Sequence, residues 1–512
     1  MKLNKKLFAN VLDQGKPWSG RLFLSLICIY LVSILLIAMP NGMSTSLTLN
    51  GLPNPACTKT NIQEDAAKGC SLTLQITPRS TAQEYVSFFG GGDPASYVKG
   101  ALLLNGEEAS GVSRSVSNNM VNLSMVDRLR QVNTIGLGMW PPGMFFLNMI
   151  PLKLSSDAPL GLYQVLVSSS LWAIAFAIIV SLLATRMRLW LAVVLPFLVM
   201  LLELFHDYFF RYGVMYSETY SAALMLIGFS LLFQAIYRKP SGILMLIAGL
   251  CFAVASLFRA QIYPVAIGVS VVLIGYCIIT MWRIAIKKSV VKYTVILMSI
   301  FAFLIGFCLP IGGYLSINNG VLFNADYAWG RPFTTPPFPD AGESNYVALG
   351  GMRSACEVDT NKCEELRKKI KAGEMTDSDT KDEVIKAFIH HPISFSIYKL
   401  PIAWKYWMAG IGNQYPQVIN YRVDNIFILL LFALSLAFMV VQRLWLIFWS
   451  SIVTCAMLFA PPFLLHFEGR YFFLMKTFVL FLPLWLLLIS NARIKKLVPS
   501  LSKRVTSMST GG

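Results

Sequence analysis

Ten apolar runs separated by charged connections constrain this chain more than any other feature. They cover residues 22–40, 160–184, 189–210, 216–237, 242–258, 262–282, 293–317, 426–441, 444–465 and 471–490. A helix that crosses the hydrocarbon core needs roughly 20 apolar residues, and a helix satisfies its own backbone hydrogen bonds where no water can. With 55% hydrophobic and only 13% charged residues, an ordinary soluble domain is excluded. The expected fold is an all-α polytopic membrane protein with about ten transmembrane helices and two large extracytoplasmic loops.

The cations orient these spans. Alternate connections carry Lys2, Lys5, Lys6, Lys16 and Arg21, then Arg186 and Arg188, then Arg238 and Lys239. Arg283, Lys287, Lys288 and Lys292 follow, then Arg443, then Arg493, Lys495, Lys496, Lys503 and Arg504. These connections hold 19 of the 43 Lys and Arg but one acid, Asp13, whereas the other side mixes 24 cations with 25 acids. The positive-inside bias therefore puts both termini in the cytoplasm. The net charge of +17 is mostly this orientation signal plus attraction to membrane lipids. The basic residues form no patch, so no nucleic-acid partner is expected. Ala38-Met39-Pro40 is a poor cleavage site, and the first run reads as an anchor.

The chain then divides into a cytoplasmic N-terminus (1–21), a first span (22–40) and a first periplasmic loop with juxtamembrane helices (41–157). Spans two to seven (158–317) precede a large periplasmic loop with an interfacial helix (318–424), spans eight to ten (425–490) and a cytoplasmic C-terminus (491–512). Five cysteines (Cys28, Cys251, Cys277, Cys308, Cys455) lie inside spans as small apolar residues. Cys57 with Cys70, and Cys356 with Cys363, fall two to a loop on the outer side and read as two local disulfides in an oxidising compartment, most simply a bacterial periplasm. In the later loop, Thr380 with Glu383 reads as a capping box, Val384, Ile385, Phe388 and Ile389 as an apolar stripe, and Pro392 as a stop. The segment from Phe395 to Trp407, around Lys399 and Lys405, reads as an interfacial helix.

Ionisable residues collect at the outer ends of the helices. Arg259 occupies a short turn between two apolar runs, against the positive-inside bias, which calls for an anionic partner. Asp93, in GGGDPASYVKGALLL (90–104), opens a short helix with Tyr97 and Ala101 each four residues further on. A carboxylate there can take the proton of an attacking hydroxyl; it can equally cap the helix after the glycine turn. Trp140-Pro141-Pro142-Gly143 precedes the second span, Ser217-Glu218 opens the fourth, and Phe258-Arg259-Ala260-Gln261 joins the fifth and sixth. His391-Pro392 precedes the interfacial helix, and Glu468-Gly469-Arg470-Tyr471 opens the last span.

This ordered set resembles the GT-C superfamily of membrane glycosyltransferases, which includes protein O-mannosyltransferases, aminoarabinose transferases acting on lipid A, and bacterial surface-polysaccharide glycosyltransferases. The resemblance covers most of the chain as an architecture and rests on the order and sidedness of short motifs. It implies a GT-C-like fold, an inverting transfer from a polyprenyl-phosphate-linked sugar donor to a glycan or lipid acceptor, and Asp93 as the catalytic acid of the first outer loop. Several branches carry adjacent Asp-Glu acids; here Pro94 follows Asp93.

A polyprenyl-phosphate donor needs cations near the interface to hold the phosphate as it leaves. Arg259, Arg470 and Lys405 are the candidates. Arg470 can instead pair with Glu468, and Lys405 can simply snorkel. Candidates for the acceptor and sugar site are Tyr97, His206, Asp207, Arg211, Glu218, Gln261, Glu468 and Tyr471, with Glu218 the next base after Asp93. Trp140, Tyr216 and Tyr263 join Tyr97 and Tyr471 either in a sugar or isoprenoid groove or in the interfacial aromatic belt. No cofactor is certain. A divalent metal near His206 and Asp207 is left open, but neither that pair nor His390, His391 and His466 has close ligand spacing.

Other readings remain. A polysaccharide polymerase or ligase would rely on the late loop, on Arg331 or His390 rather than Asp93. A lipid-linked saccharide flippase or transporter would be expected to show repeats and broken helices at mid-membrane, and an acyltransferase a defined His or Ser centre.

Overall fold

The computed structural model describes residues 20–38, 81–83, 86, 93–109, 112, 119–134, 137, 141–155, 157–185, 187–200, 202, 216–237, 241–287, 290–322, 358–359, 365–366, 368–369, 372, 374, 377–408, 423–464 and 469–488. All regular structure among them is helical. In chain order the helices are α1 (Gly20–Ala38), α2 (Asp93–Asn105), α3 (Met125–Thr134), α4 (Gly143–Leu154), α5 (Leu160–Ala184), α6 (Leu189–Met200) and α7 (Ser217–Tyr237). Then come α8 (Gly242–Phe258), α9 (Ile262–Lys287), α10 (Val290–Ile317), α11 (Asp377–His390), α12 (Pro392–Met408), α13 (Val423–Val441) and α14 (Trp445–Leu464). The last, α15 (Arg470–Leu488), begins in the 3-10 turn Gly469–Phe472.

Seven of these, α5, α7, α9, α10, α13, α14 and α15, are long and apolar enough to cross a membrane. The chain has the helices of a multi-pass membrane protein. Three other expected spans are shorter apolar helices among the described residues: Leu22–Leu36 in α1, Leu189–Val199 in α6, and Gly242–Phe258, which is α8. Helices α9 and α10 run past their expected ends, to Lys287 and back to Val290, because backbone hydrogen bonding continues where side chains turn polar.

Burial separates the centre of the bundle from its rim. Of the membrane-crossing window, 89% is buried in α7 and 78% in α15, against 22% in α13. Phe229, Phe478 and Trp485 pack between α7 and α15, and the Trp485 indole donates to Ser230 Oγ at 3.1 Å. Helix α5 joins α7 through Trp172 Nε1 donating to Thr219 Oγ1 (3.0 Å) and Tyr220 Oη to the Gln164 carbonyl (3.2 Å). Gln164 in turn donates to Asn148 Oδ1 of α4 at 2.8 Å. Each such bond between membrane helices contributes about 0.6 kcal/mol. The rim helices present Leu430, Leu434, Ile274 and Ile278 outward, an apolar surface suited to lipid tails.

Small residues set the closest approach. Gly249 of α8 lies against the Phe303 carbonyl of α10, and Gly306 of α10 against the Leu246 carbonyl of α8. A Cβ at either position would collide with backbone, so this contact depends on glycine.

The capping box read at Thr380 does not start its helix. α11 begins at Asp377, in a carboxylate-rich stretch that suits a helix N-terminus, and Glu383 pairs with Lys386 at 2.8 Å. Pro392 does not merely stop α11 but occupies the first position of α12, where a proline's missing N–H costs nothing.

Cys57, Cys70, Cys356 and Cys363, and so both expected disulfides, lie outside the described residues. The five cysteines of the apolar helices are free thiols.

Candidate site of paired arginines and carboxylates

The site is assembled from the ends of four elements far apart in the chain. Asp93 is the first residue of α2, and Pro94 fits the first turn that follows. Helix α2 is buried along most of its length and lies on α4, with Gly100 against the Phe145 ring. Its far end closes on Gly106 (φ +82°), with Gly106 N–H donating to the Leu103 carbonyl and Glu107 N–H to the Leu102 carbonyl. That pairing needs a left-handed residue, which glycine supplies without strain. Arg128 of α3 donates to the carbonyls of Leu104 (3.0 Å), Met120 (2.9 Å) and Val121 (2.9 Å). Its neighbour Arg130 donates to the Ile317 carbonyl (2.8 Å), which ties α3 to the end of α10.

Glu218 sits in the first turn of α7, where the helix dipole favours a carboxylate, and it is fully buried. Arg259 follows the last residue of α8 in extended backbone (φ −142°, ψ 116°), and its N–H still donates to the Ala255 carbonyl at 2.8 Å. Arg470 stands at the start of α15.

These groups converge. Arg470 Nη1 lies 2.6 Å from Asp93 Oδ2, and Arg259 Nη2 lies 3.2 Å from Glu218 Oε1. Arg470 Nε approaches the same Glu218 oxygen at 3.8 Å, while Glu218 Oε2 accepts from Ser217 Oγ at 3.3 Å. One ring carries both guanidiniums: Tyr471 lies 4.7 Å from Arg259 and 5.3 Å from Arg470. Tyr216 flanks Arg470 at 4.8 Å. Aromatic faces attract such cations, more strongly where water is excluded. Among the described residues the cluster holds two positive and two negative groups, and Glu218 is what lets two guanidiniums share one ring.

Burial is the largest influence on Arg259 and opposes its charge, but Glu218, with Tyr471 and Tyr97, together outweighs it, and its pKa is raised further into the permanently cationic range. Burial, then the Asp93 and Glu218 carboxylates, push the Tyr97 phenol well above its usual value. Tyr97 is therefore a neutral phenol; its Oη lies 3.5 Å from Ser217 Oγ. Glu218 is fully buried, with Oε1 in ion contact with both arginines and Oε2 accepting from Ser217 Oγ.

The structure thus gathers Asp93, Glu218, Arg259, Arg470 and Tyr471, with Tyr97 beside them and Gln261 accepting from Arg259 Nε at 3.5 Å. Lys405 is exposed near the end of α12 and makes no ion pair among the described residues. His390 and His391 are exposed at the α11–α12 junction, and Tyr263 packs on Phe307. His206, Asp207, Arg211, Glu468, Trp140, His466 and Arg331 lie outside the described residues. Within the described residues no three His, Cys, Asp or Glu side chains form a metal-holding group. Sequence reasoning did not assign Ser217 a role, although a Ser-Glu pair opening a helix is the visible signal for the link it makes between Tyr97 and Glu218. No family model, curated protein or solved structure matches this chain.

Proposed function

We propose that this chain is an integral-membrane glycosyltransferase that moves a sugar from a polyprenyl-phosphate donor to a hydroxyl of an extracytoplasmic glycan or lipid. The observation that carries the reading is the meeting of Asp93 with Arg470, at 2.6 Å, beside a second buried guanidinium, Arg259. Such a site pairs a carboxylate able to accept a proton with cations able to hold a phosphate. The acceptor O–H bond breaks as its oxygen attacks the anomeric carbon, and Asp93 takes the proton. The anomeric C–O bond to phosphate breaks, its electron pair stays on the phosphate oxygen, and Arg259 and Arg470 stabilise that charge.

In this proposal the helices make ten spans in a bacterial inner membrane, with both termini in the cytoplasm. The arginine cluster then faces the periplasm, because the turns holding Arg259 and Arg470 alternate with the cation-rich connections. The acceptor belongs to surface polysaccharide synthesis or modification. The test is sugar transfer from labelled polyprenyl-phosphate donors in membranes carrying the wild type or Asp93→Asn. Transfer by the wild type and none by a folded Asp93→Asn protein is expected; equal transfer by both would remove Asp93 from the chemistry.

A further inference from the structure

The Asp93–Arg470 contact has a consequence for the order of events. In the site as it stands, the carboxylate meant to accept a proton is already occupied by the guanidinium meant to hold phosphate. We propose that Arg470 exchanges partners: the donor phosphate draws it from Asp93, and only then is Asp93 available as a base. This rests on the glycosyltransferase reading and adds an order to it, donor before proton transfer.

Three observations support the exchange. First, among the described residues the charges balance before the donor arrives, two carboxylates against two guanidiniums. An incoming phosphate adds negative charge to a largely water-excluded cluster and is favoured when one carboxylate gives up its cation. Second, the two arginines are held differently. Arg259 is fixed by fully buried Glu218 at 3.2 Å, whereas Arg470 reaches that anchor only at 3.8 Å and has the less buried Asp93 as its close partner. Third, Arg470 lies against both the Tyr216 and Tyr471 rings, at 4.8 Å and 5.3 Å. Those faces keep the guanidinium solvated as a cation while its carboxylate contact changes. The arrangement also keeps the base from activating water when no donor is bound.

The experiment follows carboxyl availability directly and needs no sugar transfer. The detergent-solubilised wild type is treated with a carbodiimide, and modification at Asp93 is read by peptide mass spectrometry with no ligand, with polyprenyl phosphate, and with the uncharged polyprenol. Binding of each lipid is measured in parallel by native mass spectrometry. A several-fold rise in Asp93 modification with polyprenyl phosphate, and none with polyprenol, is the expected result. If polyprenyl phosphate binds and the modification does not change, the exchange is wrong while the donor reading stands. If polyprenyl phosphate does not bind, the donor reading fails and the exchange with it. Arg470→Gln should give high modification without lipid; low modification in that folded variant also overturns the exchange.

Discussion

Glu218 and Arg259 form a buried ion pair between the first turn of α7 and the end of α8, at 3.2 Å and with the carboxylate entirely shielded from solvent. Neighbouring packing fixes the two helix ends in register: Tyr220 stacks on Phe258 at 5.2 Å, and Ser221 Oγ donates to the Ala255 carbonyl at 3.3 Å. The pair is thus held by the fold, and it in turn supports the position of Arg470.

Glu218→Gln should be strongly destabilising although nearly isosteric. It leaves two buried guanidiniums on one tyrosine ring with Asp93 as the remaining carboxylate in contact among the described residues. Removing one partner of a buried pair costs about 3–5 kcal/mol. A lowered thermal midpoint in detergent is expected, with part of the loss recovered in Glu218→Gln/Arg259→Gln, where no charge is orphaned. An unchanged midpoint in the single variant would show that water reaches the pair.

The α8–α10 contact makes a separate prediction, independent of chemistry. Gly249→Ala and Gly306→Ala each drive a methyl group into backbone of the facing helix. Overpacking of this kind costs about 1–3 kcal/mol. Gly275→Ala on α9 meets nothing within 4 Å and should be neutral or slightly stabilising. The check is the order of thermal midpoints among the three variants.

Much of the helix order was readable from the alternation of apolar runs, since length and hydropathy alone decide whether a segment suits lipid. The turn position of Arg259 was readable too, because a cation there needed an acid. What could not be read was which acid serves which arginine. Asp93 and Glu218 were both near enough to helix ends to compete, and only the packing of the helix ends brings both to Arg470; Glu468, the other partner read from the sequence, lies outside the described residues. Two lysines escaped for a similar reason. Lys399 and Lys476 are buried, and Lys476 donates to the Trp407 carbonyl at 2.7 Å, yet a lysine among apolar residues reads in sequence as one that snorkels to water.

Lys399 should make stability depend on pH. Burial in α12, outside the membrane-crossing helices, lowers its pKa to about 7. The unfolded lysine titrates near 10.4, so between these values the unfolded chain binds a proton that the folded chain does not. Stability therefore rises with pH across that window, and the penalty is fully present below about pH 7. Lys399→Met should be more stable than the wild type at pH 7, by on the order of a few kcal/mol, with the gap closing toward pH 10. Thermal midpoints of both proteins across the window test this, and parallel curves would mean that the lysine is not desolvated.

Arg128 should influence the site without touching it. Its guanidinium holds three carbonyls, including that of Leu104 near the end of the helix that begins with Asp93. Hydrogen bonds from a charged donor contribute about 1.5–3 kcal/mol each, and Arg128→Ala leaves these acceptors to find water. Lysine cannot replace the fork, because one ammonium cannot reach three divergent carbonyls, so Arg128→Lys should recover little. In the glycosyltransferase assay the expected pattern is a fall in kcat of roughly tenfold, equivalent to about 1.4 kcal/mol, as Asp93 loses its fixed position. Donor KM should change little, since the phosphate-holding Arg259 and Arg470 belong to other elements. A rise in donor KM at unchanged kcat would mean instead that α2 helps to hold the donor.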